Sequence, residues 1–372
     1  MAVDKRGRKL PKGVRQKGSR FEGRVTYQEK TYSVYGDTVK ETQTKMTELK
    51  YKLEHGVFVE KSKLTLDQWF DTWIEEYKKN QVKIGTYTNY KNYYRCMLKE
   101  RLGSRYIADI RGEHIQKLYN DYVKEDYSLT AIKSTAIILN GCFKQAVKNG
   151  LIEKNPVLNT ELPRRKEKKV KEAMTKEQQT LFMEYAKDSY LYNLFAIMLR
   201  TGMRIGELQA LKYSDINRKN NVIEVRRTLK YIVGIGYLED TPKTRTSKRD
   251  IPLTTATLQL FENQKKQWSR KIGNINGYIF TNEKGEPLSR DKVQGEIDRI
   301  VKRIRKDGYE FNHISPHIFR HTFATRAIEA GMQPQVLKTI MGHSSLAMTM
   351  DLYSHVMEDV KVNEMEKIDI AF

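Results

Sequence analysis

From Pro163 to Lys169 the chain reads Pro-Arg-Arg-Lys-Glu-Lys-Lys. After Pro163 it holds no apolar side chain, and neither the helical nor the strand period runs through it. A hydrophobic core cannot continue across such a segment. It reads as a basic linker, placed at 159–173, and it sets a domain boundary. A length of 372 residues leaves room for two or three domains around it.

Residues 1–24 carry nine basic side chains against Asp4 and Glu22. Phe21, Gly23, Val25 and Tyr27 then alternate with Glu22, Arg24 and Thr26, the period of a half-buried strand. Lys30 to Tyr35 repeats the alternation, with Gln28-Glu29 as the turn. Thr38-Val39-Lys40-Glu41 has the spacing of a capping box. The helix it opens turns Val39, Met46, Leu49 and Leu53 inward and stops at Gly56. Residues 1–58 therefore read as a small antiparallel sheet backed by one helix. Arg15, Lys17, Arg20 and Arg24 supply positive charge that such a sheet can lay into a DNA groove.

Residues 64–158 read as a helical domain. Leu66, Trp69, Phe70, Trp73, Ile74 and Tyr77 share one helical face, and Ile132, Ala136, Leu139, Phe143 and Val147 form another stripe closed by Asn149-Gly150. A helix from about Thr86 to Glu100 lies between them. Lys83, Thr86, Tyr87, Thr88, Lys91 and Arg95 bring hydroxyls and cations close together there, a set suited to phosphate contacts.

The net charge is +22, from 68 Lys and Arg against 46 Asp and Glu, and it points to a polyanion, with nucleic acid the leading candidate. A hydrophobic fraction of 39% is too rich for a disordered chain. No apolar run approaches the roughly 18 residues of a membrane-spanning helix, and Met1 to Lys12 has no apolar stretch behind it, so it is not a secretory signal. Cys96 and Cys142 cannot make a disulfide framework or a four-thiolate zinc site, which fits a reducing cytoplasm.

After the linker, 174–372 returns to globular composition. Tyr192 to Leu199 reads as a helix ended by Thr201-Gly202, Val222 to Leu229 as one strand and Arg249 to Leu253 as a second. Helices follow at roughly 255–271, 290–306, 317–330, 335–341 and 346–352. Four short pieces stand out. Thr201-Gly202-Met203-Arg204 places an arginine at a helix start with Glu207 one turn on, able to hold its fork. Thr241-Pro242-Lys243-Thr244 lies on a loop between strands. In Ser315-Pro316-His317-Ile318-Phe319-Arg320-His321, Ser315 caps, and His317, Arg320 and His321 share a helix face. Met341-Gly342-His343 precedes Tyr353 by ten positions. A zinc set of His313, His317 and His321 is disfavoured by Arg320 beside the same face.

In this order the four pieces closely resemble the tyrosine recombinase family, in particular integrases of temperate phages and of conjugative transposons of Gram-positive bacteria. The resemblance spans essentially the whole chain. It implies a mainly α multidomain protein with α+β parts: an arm-binding domain with a three-stranded sheet and one helix at 1–58, a helical-bundle core-binding domain at 64–158, and an α+β catalytic domain at 174–372. The family's catalytic set falls on Arg204, Lys243, His317, Arg320, His343 and the nucleophile Tyr353, with Glu207 in support. Lys230 and Lys248 flank the same hairpin and remain alternatives to Lys243 as general acid. Arg245 joins the expected DNA contacts. The resemblance further implies double-stranded DNA with core and arm sites as substrate and a homotetramer on it. An excisionase and a host DNA-bending protein are the expected partners, with no membrane and no cofactor or metal. The expected setting is the bacterial cytoplasm, at the nucleoid. The tail from Glu358 to Phe372 is expected to dock on a neighbouring protomer.

These residue types suit phosphoryl transfer to a phenolate. Two guanidiniums clamp the non-bridging oxygens as negative charge grows on them. His317, with a pKa class near neutrality, serves as general base. Lys243 protonates the leaving 5′-oxygen, and the link to tyrosine stores the bond energy for resealing. Three other readings stand beside this one. A metal-dependent nuclease needs clustered carboxylates, whereas Glu207, Asp215 and Asp351 are dispersed. The others are a DNA-binding protein without catalysis and a type IB topoisomerase.

Overall fold

The computed structural model describes residues 3–5, 7–55, 63–164, 173–232, 234–240, 246, 248–268 and 277–356. The helix stop at Gly56, linker residues 165–172, Lys243, Arg245 and the tail from Glu358 lie outside the described residues. The chain forms two compact units, Met1–Glu167 and Lys168–Phe372.

In the first unit, β1 (Val14–Lys17), β2 (Arg20–Tyr27) and β3 (Lys30–Gly36) form an antiparallel sheet in that order. The alternation in the sequence marks β2 and β3; β1, four residues long, has too short a pattern to read. The turn at Gln28-Glu29 has both residues at positive φ, 46° and 64°. That is the mirror-image turn whose twist suits a tight hairpin. Helix α1 (Val39–Glu54) packs across β2, burying Leu49 and Leu53. Its cap differs from the expected box in one respect. Thr38 Oγ1 accepts from the Glu41 N–H at 3.1 Å, but the Glu41 carboxylate accepts from Asp37 N–H at 2.9 Å, one residue earlier than a box requires.

The rest of the unit is helical: α2 (Leu66–Thr72), α3 (Ile84–Tyr93), α4 (Gly112–Lys124) and α5 (Leu129–Lys148). Both α2 and α3 run on into π-helical segments, Trp73–Lys78 and Tyr94–Gly103. Trp69, Phe70, Trp73 and Ile74 are buried as their spacing requires. Phe70 stacks on Tyr94 at 3.6 Å, and the Trp69 indole N–H donates to the Cys142 carbonyl at 3.0 Å. The aromatic bodies thus fill the core while the indole keeps a partner.

In the second unit a helical body surrounds two small sheets. Its helices are α6 (Lys176–Tyr185), α7 (Tyr192–Thr201), α8 (Ile205–Gln209), α9 (Thr255–Trp268), α10 (Arg290–Lys306), α11 (Pro316–Glu329), α12 (Pro334–Met341) and α13 (Ala347–Val356). One sheet joins β4 (Ile216–Asn217), β5 (Val222–Val225) and β8 (Arg249–Pro252); the other is the hairpin of β6 (Thr228–Ile232) and β7 (Gly236–Asp240). The single strand expected from Val222 to Leu229 is therefore two strands in different sheets. Arg226 and Arg227 break it. Arg227 forks onto Asp215 with two bonds of 3.0 Å, while Arg226 reaches Asp250 at 2.6 Å. Ser315 also departs from expectation: it sits at the cap position of α11, but its hydroxyl makes no cap bond.

Candidate active site

Helix α7 ends on Gly202 in the left-handed region at φ 60°. A Cβ there would lie 2.3 Å from the Phe323 ring, so both the backbone angle and the space demand glycine. The chain then turns at once into Arg204, the cap residue of α8. Glu207, only 3% exposed, accepts the Arg204 backbone N–H at 2.9 Å and Arg204 Nη1 at 2.9 Å. A second guanidinium closes on the same carboxylate. Arg249, at the start of β8, donates Nη1 at 3.1 Å and Nη2 at 2.9 Å. Burial pushes Glu207 upward, and Arg249 and Arg204 more than offset it, so its carboxyl lies below the usual range.

Arg320, on α11, is buried. Its Nη1 donates to the Gly202 carbonyl at 2.7 Å and its Nη2 to the Met341 carbonyl at 2.6 Å. Burial, then repulsion from Arg204, pushes its guanidinium down to about 9, so it stays cationic at neutral pH. Arg204 Nη2 donates to the Gly342 carbonyl at 3.1 Å, and Arg249 Nε to the Ile340 carbonyl. Three guanidiniums therefore hold three consecutive carbonyls at the C-terminal end of α12, where the helix dipole is negative.

His343 follows directly. It is 6% exposed, and its Nδ1 lies 2.9 Å from the Thr349 hydroxyl. Burial, then Arg320 and Arg204, pushes its imidazole down to about 4. It is neutral at pH 7 and serves as a hydrogen-bonding group, not a cation. His317 is exposed one turn before Arg320, with its ring edge-on to His321 at 4.6 Å.

Tyr353 is placed differently. It is 4% exposed, packed with Ala324, Ala327, Leu337 and Met341, and its hydroxyl donates to the Met332 carbonyl. Burial raises its phenol. The structure thus gathers Arg204, Glu207, Arg320 and His343, adds Arg249, and engages the Tyr353 hydroxyl elsewhere. Lys230 is tied to Asp240 at 3.1 Å on the β6–β7 hairpin, and Lys248 is exposed. His313 pairs with Asp298 at 3.6 Å, and among the described residues no group of three or more His, Cys, Asp or Glu is placed to hold a metal.

The expected DNA contacts are partly engaged within the fold. Arg15 and Arg24 converge on the buried Glu22, the latter at 3.5 Å, and Arg20 pairs with Asp37 at 3.0 Å. The Arg15 bond and burial act in opposite directions on Glu22, and the arginines prevail, holding it at about 2. Lys17 lies over the Tyr35 ring. Tyr87 and Lys91 both donate to Glu75, the latter at 3.1 Å, and that carboxyl too is held at about 2, by Tyr87 first. Lys83 and Arg95 are exposed, and Thr86 is half-buried. Glu75 and Arg249 are missed by sequence reasoning, because their partners lie far along the chain.

Residues 172–359 match the model of the phage integrase family, and 65–123 match a phage integrase N-terminal SAM-like domain. A tyrosine recombinase XerC-like protein of Caldanaerobacter subterraneus is 28% identical, over 91% of each chain. The transposase of transposon Tn916 from Enterococcus faecalis is 28% identical, over 87% of this chain and 82% of its own. Among solved structures, the Tn1549 transposon integrase in complex with a circular intermediate DNA is 29% identical, with a TM-score of 0.72 over 82% of this chain and 99% of that one. Lambda integrase, 20% identical with a TM-score of 0.59, shares the fold. The chain belongs to the phage integrase family and is a tyrosine recombinase.

Proposed function

We propose that this recombinase integrates and excises a mobile element by cutting and rejoining duplex DNA through a 3′-phosphotyrosine. The observation that carries the reading is the pairing of Arg204 and Arg320. Arg204 stands close enough to Arg320 to depress its guanidinium, beside a neutral His343, on a shared helix end. A phosphodiester brings the anionic oxygens that such a pair would clamp, and the clamp tightens as charge grows in the pentavalent state.

In the reaction the Tyr353 oxygen bonds to phosphorus and the bond from phosphorus to the 5′-oxygen breaks. The phenol proton passes to His317, and Lys243 gives a proton to the departing oxygen. The engagement of Lys230 with Asp240 supports Lys243 in that role. The phosphotyrosine keeps the energy of the broken bond, so a 5′-hydroxyl can reverse the attack without a nucleotide. Tyr353 first has to leave the Met332 carbonyl.

The domains take separate parts: 1–58 on arm sites, 64–158 on the core site, 159–173 as basic linker and 174–372 as catalyst. Arg15, Lys17, Arg20 and Arg24 serve the first contact, and Lys83, Thr86, Tyr87, Lys91, Arg95 and Arg245 serve the second. Four copies on two DNA sites complete the exchange, with an excisionase and a host DNA-bending protein setting its direction at the nucleoid. The test is a nicked core-site duplex that traps the cleaved complex. A covalent adduct from the parent and none from Tyr353→Phe supports the proposal; an adduct from both would overturn it.

A further inference from the structure

We propose that Arg249 is a positioning residue for strand cleavage, setting Arg204 and His343 in register without touching DNA. The proposal rests on the strand-transfer reading above. Arg249 is fixed at its backbone, where β8 pairs with Val225 of β5 and its carbonyl accepts Arg226 Nη1 at 3.1 Å. Its side chain, 3% exposed, is out of reach of a duplex. From that anchor the guanidinium spans two elements: its fork takes both oxygens of Glu207 on α8, and its Nε takes Ile340 at the end of α12.

The two grips act on different catalytic groups. A carboxylate offers about four acceptor sites. Glu207 receives two donors from Arg204 and two from Arg249. With Arg249 in place, the Arg204 guanidinium gives the carboxylate only Nη1 and keeps Nη2 toward Gly342. Without that fork, a buried carboxylate with two empty sites would draw the rest of the Arg204 guanidinium to itself and away from a phosphate. The second grip reaches His343. Gly342, at φ 64°, joins α12 to that histidine, and a Cβ there would lie 3.1 Å from both Cδ and Nη1 of Arg249. The link carrying His343 is therefore seated on the Arg249 stem.

The test uses the full chain and a core-site duplex in two forms. One has the ordinary scissile phosphate; the other carries a methyl in place of one non-bridging oxygen, which removes the charge that Arg204 would clamp. Arg249→Lys keeps the charge and loses the fork. Its affinity for the duplex is expected to stay within about two-fold of the parent, while single-turnover cleavage of the ordinary duplex falls about 100-fold. On the neutral linkage the deficit is expected to shrink to about three-fold or less, because less depends on Arg204 there. An equal deficit on both linkages, or none on either, overturns the positioning role. If Arg249→Lys melts, Arg249→Gln, which leaves Glu207 paired with Arg204, permits the same comparison. Failure of the parent to cleave the ordinary duplex would instead remove the strand-transfer reading itself.

Discussion

The Tyr353 hydroxyl donates to the Met332 carbonyl, and Thr349, one turn earlier on the same helix, holds His343. One face of α13 thus touches both the expected nucleophile and the site it has to enter. A movement of α13 as a whole that carried Tyr353 away from Met332 would also act on the bond between Thr349 and His343.

Tyr353→Phe should abolish the covalent adduct while keeping the fold. The lost hydrogen bond leaves the Met332 carbonyl unpaired, which costs about 1–3 kcal/mol. Urea unfolding measures that cost, and a denaturing gel with the nicked duplex reports the adduct. Adduct formation by the parent should persist in EDTA; its disappearance there would favour the metal-dependent reading.

His343 gives the fold an acid-sensitive window. Folded, it titrates at about 4; unfolded, near ~6.5. Between these values the unfolded chain binds a proton that the folded chain refuses. Stability from this residue is complete above about pH 6.5 and falls as pH drops toward 4. Melting temperatures of His343→Gln should slope less across that window. An unchanged slope would place the sensitivity in another group.

Glu207→Gln should be among the more damaging substitutions in the second unit. It leaves Arg204 and Arg249 facing a neutral amide at a buried site, at a cost of about 3 kcal/mol. Because the Glu207 pKa is lowered by folding, its contribution is present above the ordinary carboxylate value of ~4.3 and is lost as pH falls through the lower folded one. Denaturant midpoints at pH 7 and pH 3 test both statements: the gap between parent and variant should be wide at pH 7 and narrower at pH 3.

Arg15→Ala and Arg24→Ala should each weaken binding to arm-type duplex more than to core-site duplex. Each should also reduce the slope of log affinity against log salt by about 1. Deleting residues 1–58 should leave core-site cleavage in place. Equal losses on both duplexes would make the sheet part of the catalytic body.

What could be read from sequence was local. Thr201-Gly202-Met203-Arg204 states its own geometry, since a left-handed glycine must be followed by a new start, and Glu207 sits one turn on. The Leu66–Tyr77 stripe is legible for the same reason. Arg249 is not, because its carboxylate lies 42 positions away and arginine at a strand start is common. Glu75 escapes likewise, 12 and 16 positions from Tyr87 and Lys91. The Val222–Leu229 run misled because Val222–Val225 and Thr228–Leu229 both have strand character, while the break lies at Arg226-Arg227, whose carboxylate partners Asp250 and Asp215 are outside the run.

The end of α12 works as a ruler. One residue more or less in a helix rotates everything beyond it by about 100° and moves it by about 1.5 Å. Such a change would withdraw the Ile340, Met341 and Gly342 carbonyls from their three arginines at once. Substitution of the exposed Val336 on the same helix would withdraw none. Helix α12 should therefore tolerate many side chains on its outer surface and no insertion or deletion along its length.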